Sequence, residues 1–177
     1  MSKRDLKKYL GELNKEQLEE QIIELYEKFS PVKVFYDFVF NPKEDKLLQE
    51  YKTKISHEYF PIKKPNAKWR PKAKMRRSVA QKYIKHFILI GVDPFIIADA
   101  MLYNIEIAQT YSSTNFIKQE LFYKSMLNSY DQAVKFLISN GILNEFKSRI
   151  SAIKEETFKQ KWKISHDFET ILEKIDY

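Results

Sequence analysis

Asp99, Tyr103, Glu106 and Thr110 recur at three- and four-residue spacing within PFIIADAMLYNIEIAQTY, the most apolar stretch of the chain. On a helix of 3.6 residues per turn they form one narrow stripe, with the two carboxylates roughly 10 Å apart by helix rise. Paired carboxylates at such a spacing suit acid–base chemistry or metal binding. The rest of this helix is apolar, so it is buried on most sides. A carboxylate there must reach water, meet a cation or hold a proton. One expectation is a hydrolase or transferase with a polar site around Asp99 and Glu106. The stronger one is structural, because buried ion pairs perturb pKa values without doing chemistry. The cations would then be Arg76, Arg77 or Lys82 on the preceding helix. The two helices are joined near residues 91–93 and should run antiparallel. That register sets Arg76 or Arg77 against Glu106, and Lys82, Lys85 or His86 nearer Asp99.

A second set of residues carries charge rather than carboxylate chemistry. Residues 61–92 hold ten basic side chains and no acid, whereas 1–60 carry net −1 and 93–177 net −2. The whole excess of +7 therefore comes from one segment. Its cations are Lys63, Lys64, Lys68, Arg70, Lys72, Lys74, Arg76, Arg77, Lys82 and Lys85, interleaved with Trp69 and Tyr83. Cations hold phosphates, and an aromatic face stacks on an unpaired base. The expectation is a non-enzymatic interaction protein whose segment 61–86 contacts nucleic acid or an acidic partner. The bland alternative is a solvated loop whose cations pair with acidic helices elsewhere. Trp69, between Pro65 and Pro71, is either a partner-binding anchor or a plug folded back on the protein.

Other chemistries find no support. There is no Cys, so thiolate nucleophiles, disulfides and thiolate metal sites are excluded. His57, His86 and His166 sit in no ligand pattern, and HExxH is absent. Three glycines cannot build a phosphate-cradling loop. No metal and no cofactor is expected. The N-terminus shows no apolar h-region, and 87–107 is interrupted by Asp93, Pro94, Asp99 and Glu106. A cytoplasmic protein without a membrane span is the expectation.

The elements that must hold these residues are helices. Hydrophobic residues make up 44% and aromatics 15%, while Gly and Pro are scarce. Ser2 with Asp5, and Asn14 with Gln17, read as capping boxes. Ser30-Pro31, Asn41-Pro42 and Asp93-Pro94 read as helix starts. Gly91 and Asn140-Gly141 read as helix ends. Helices are expected over 75–90, 94–111, 115–139, 142–159 and 162–175. Val32–Phe40 has β propensity, yet its residues 32, 35, 36 and 39 share a helical face. Residues 60–74, broken by Pro61, Pro65 and Pro71, form the long irregular connection. The fold class is all-α: one domain over 1–177, an irregular bundle or array of about seven to eight helices. The core is expected from Leu25, Phe35, Phe38, Leu48, Ile84, Phe87, Ile97, Met101, Ile105, Ala108, Phe122, Leu137, Ile142 and Phe146.

YDFVFNPKEDKLLQEY, KMRRSVAQKYIKHF and GVDPFIIADAMLYNIEIAQTY together resemble a bacterial family catalogued as domain of unknown function 6155. The resemblance spans most of the chain. It implies a cytoplasmic helical protein and brings no catalytic residues with it.

Overall fold

Side-chain caps at Ser2, Asn14 and Asp93 set three of the helix starts. A computed structural model describes every residue except 1, 64, 70 and 175–177. Its described residues form nine helices and no strand. They group into two compact units, Met1–Lys43 and Glu44–Tyr177.

The first unit holds α1 (Lys3–Gly11), α2 (Lys15–Lys28) and α3 (Ser30–Phe40). Both capping boxes form: Ser2 with Asp5, and Asn14 with Gln17. The aromatic segment is indeed helical. It packs against α2, and the Tyr26 hydroxyl donates to the Asp37 carboxylate at 2.8 Å. Leu25 and Phe35, expected in the core, are exposed. Two helices laid side by side cover each other on one face only, so periodicity there marks a contact and not a core.

The second unit holds α4 (Glu44–Tyr59), α5 (Arg77–Ile90), α6 (Pro94–Ser112), α7 (Glu120–Ser139), α8 (Leu143–Lys159) and α9 (Ser165–Glu173). Helix α6 is the axis, contacting α4, α5, α7 and α8. Asp93 caps its start, accepting from the Phe95 amide at 2.7 Å. Ala98, Ala100 and Ala108 are fully buried and let neighbouring backbones come close. Tyr51 of α4, Phe87 of α5 and Tyr103 of α6 form an edge-to-face aromatic cluster. Of the expected core, Leu48, Ile84, Phe87, Ile97, Met101, Ile105, Ala108, Phe122, Leu137 and Ile142 are buried; Phe38 and Phe146 are half-buried.

Several helix starts move, each for a local reason. Asn41 does not open α4 but closes α3, its amide donating to the Phe38 carbonyl. Asn115 does not open α7 either. Its side chain donates to the Tyr111 carbonyl at 2.9 Å and terminates α6. Helix α5 begins at Arg77, not Met75, because the Lys74 and Met75 amides both donate to the Glu58 carbonyl. Trp162 ends α8 through its amide bond to Thr157, and α9 waits until Ser165. Among the described residues no helix is long and apolar enough to cross a membrane.

Buried polar atoms on and around α6 find partners. The Tyr51 hydroxyl donates to the Ala100 carbonyl at 2.7 Å, and Gln109 Nε2 to the Ile153 carbonyl at 2.7 Å. Tyr59 is buried too, yet its hydroxyl has no hydrogen-bond partner among the described residues. Tyr51→Phe should therefore lower unfolding free energy by about 0.5–1.5 kcal/mol. Tyr59→Phe should match or exceed the parent. Urea denaturation of both variants checks this, and equal losses would refute it.

Candidate functional site

The acidic stripe of α6 exists, and it is closed by cations. Arg149 of α8 reaches both acids. Its Nη1 lies 2.6 Å from Asp99 Oδ1, and its Nε and Nη2 fork onto Glu106 at 2.5 and 2.7 Å. Lys52 of α4 approaches Asp99 Oδ2 at 2.7 Å and lies 5.4 Å from the Tyr103 ring centroid. Burial raises the Asp99 pKa, but the hydrogen bonds from Lys52 and Arg149 outweigh it and hold the carboxyl below its usual range. Burial likewise lowers the Arg149 pKa, and its two acids more than reverse that. Both carboxylates are thus committed to fixed cations. A general base needs a lone pair free for substrate.

The partners expected from sequence are corrected. Arg76 forks onto Glu58 at 2.9 and 2.7 Å. That bond depresses the Glu58 carboxyl. Arg77 points at α7, donating to Ser129 Oγ at 2.8 Å and Gln132 Oε1 at 2.9 Å. Lys82 and Lys85 are exposed and meet neither α6 acid. Antiparallel register fixes height along a helix pair but not the side from which a side chain leaves. Arg149 and Lys52 had no distinguishing signal in the sequence, since each sits in an ordinary amphipathic helix.

The basic segment emerges as a cation-rich surface. Its end is tied to α4 by Glu58, which accepts from Lys74 and Met75 with its carbonyl and from Arg76 with its carboxylate. Lys63 and Lys72 line a recess of about 980 Å³ with Tyr59, Phe60 and Tyr111. Trp69 is 77% exposed, so it is no plug, and Lys68 Nζ lies 6.0 Å from its ring centroid. Lys63, Lys68, Lys72, Lys74, Lys82 and Lys85 are exposed. Among the described residues none of these six has a carboxylate within 4.0 Å, and Arg76 alone of the segment forms an ion pair. Lys64 and Arg70 lie outside the described residues.

The chain belongs to a family of unknown function, DUF6155. That family's model matches residues 1–176. No curated protein matches the chain, and no solved structure does. Membership in DUF6155 assigns no activity, so the chemistry must be argued from the residues themselves.

A second group of lysines comes together only in the folded chain. Lys118, Lys124, Lys161 and Lys163 line a cavity beside the recess, the two meeting at Asn115. The sequence did contain a hint, because Lys161-Trp162-Lys163 repeats the pattern of Lys68-Trp69-Arg70. The twelve acids spread over 93–177 outnumber its ten basic side chains and hide those lysines in any charge count over that stretch.

The Arg149 hub sets two expectations. Its side chain is 28% exposed, so Arg149→Ala should cost about 1–3 kcal/mol, between the values for exposed and buried pairs. Arg149→Lys should recover only part, having lost the fork. Asp99 has a folded pKa below its unfolded value of about 3.9. Its contribution is full above that unfolded value and fades as pH falls through the lower folded pKa. Asp99→Asn should therefore lose less stability than the parent on going from about pH 4 to pH 2. Denaturant titrations across that range measure it, and parallel curves would show that Asp99 is not held by its cations.

Proposed function

We propose that this protein binds nucleic acid through the basic segment 61–86. One observation carries the reading: six exposed lysines in an acid-free stretch have no carboxylate within 4.0 Å among the described residues. Among the described residues of the segment, Arg76 is spent on an ion pair with Glu58, and the six lysines are left to solvent. Unpaired lysines keep a counterion cloud whose release favours binding to phosphate chains. Trp69, standing out among them, adds a face on which an unpaired base can stack, worth about 1–3 kcal/mol per base. Single strands should therefore bind more tightly than duplexes. A cytoplasmic setting belongs to the same proposal. The rival reading, a hydrolase or transferase around Asp99 and Glu106, draws less support because Arg149 occupies both carboxylates.

Fluorescence anisotropy with labelled single-stranded and duplex DNA and RNA tests the proposal. Affinity should fall steeply between about 50 and about 200 mM salt, by one slope unit or less per phosphate contact. The combined variant Lys68→Gln, Lys72→Gln, Lys74→Gln should flatten that slope. Trp69→Ala should weaken single strands more than duplexes. Absence of salt-sensitive binding to every oligonucleotide overturns the reading. So does polyglutamate binding as tightly as single-stranded RNA, which would mark an acidic protein as the partner.

A further inference from the structure

Two connections lie against one another, residues 113–119 after α6 and 160–164 after α8. Ser112 Oγ donates to Gln160 Oε1 at 2.6 Å, and Gln160 Nε2 donates to the Gln109 carbonyl at 3.0 Å. Between them lies the cavity of about 350 Å³. Its aromatic wall is rigid. The Trp162 indole N–H donates to Gln160 Oε1 at 3.1 Å, and the Tyr123 ring meets the indole edge-on at 5.1 Å. The Tyr123 hydroxyl donates to the Ile117 carbonyl. Phe116, 87% exposed, stands at the lining's outer side. Lys118, Lys124, Lys161 and Lys163 complete the lining, and among the described residues none has a carboxylate within 4.0 Å. Glu120 is the one acid.

Lys161 is notable for its backbone. Helices α5, α7 and α8 all end with the same pair of amide bonds, and the residue that makes the left-handed turn is Gly91, Gly141 and Lys161 respectively. Its φ is 80° at Gly91, 69° at Gly141 and 56° at Lys161. Glycine fits that conformation freely, and a lysine is strained in it. Glycine at this position would therefore relieve the backbone, as it would at Met75, whose φ is 51°.

We infer that this cavity binds a nucleoside phosphate, either free or as an unpaired residue of a strand. Tyr123, half-buried and backed by the buried Trp162, and the exposed Phe116 receive the flat base. The lysines hold the phosphate. Glu120, unsuited to phosphate, accepts from a sugar hydroxyl. The volume sits at the small end of ligand sites, enough for one nucleotide. The inference uses none of the lysines of segment 61–86 and stands independently of them.

The chain has two tryptophans, so Trp69→Phe leaves Trp162 as the sole indole reporter. Its fluorescence is followed during titration with adenosine and guanosine triphosphates, with inorganic tripolyphosphate, and with a short single-stranded RNA. A saturable change with the nucleotides, the RNA or both is expected, and which of them acts identifies the source. Tripolyphosphate should bind more weakly. In this background Lys161→Gly should raise Kd about tenfold, the equivalent of one charge-assisted contact, while melting at or above the parent temperature. Lys68→Gln with Lys72→Gln should leave nucleotide affinity unchanged, which separates this site from the segment. The inference is overturned if no nucleotide or strand gives a saturable change. It is equally overturned if tripolyphosphate binds as tightly as the nucleotides, or if Lys161→Gly retains full affinity.

Discussion

Helix α6 is surrounded on most of its circumference, and the rest of the second unit is arranged around the consequences. A helix in that position has little surface on which polar groups can be left to water. Each polar group it carries must be met by a neighbour, or its desolvation counts against folding. Tyr51 meets the Ala100 carbonyl, Gln109 reaches the Ile153 carbonyl, and Arg149 with Lys52 meets the acidic stripe. Two helices, α4 and α8, are thereby tied to α6 by directional contacts as well as by packing.

The same constraint separates structural charge from available charge. Charges drawn toward α6 are neutralised in place. Charges on the connections between helices are not, because connections run over the surface and carry few neighbours. Both lysine-rich regions follow this division. Among the described residues, Glu58 ties down the segment before α5, and Gln160 ties down the connections after α6 and α8. Rigid anchoring beneath an exposed cationic surface suits recognition, since the surface is positioned without its ammonium groups being used up.

The first unit differs in kind. Two of its three helices start in capping boxes, yet none of its described side chains is fully buried. Capping and side-by-side pairing suffice to define its elements, while its apolar residues stay largely exposed.

What the sequence determined by itself was whatever depends on residues a few positions apart. The capping boxes at Ser2 and Asn14, the cap at Asp93, and the ends at Gly91 and Gly141 are all contacts within one turn, and all were legible. The helical class, the shared stripe of Asp99 and Glu106, and the acid-free basic segment were legible for the same reason. Asn41 was misread because asparagine can close one helix as well as open the next, and only the following backbone decides which. The partner of the acidic stripe lay beyond reach. Arg149 stands 43 residues from Glu106 and 50 from Asp99, and what joins them is the rotation of α8 about its own axis against α6. Side-chain azimuth is set by packing across many residues at once. The lysines around Trp162 were hidden likewise, because chain-local charge sums count acids that point elsewhere. Tertiary structure alone decided which charges meet each other and which are left to meet something else.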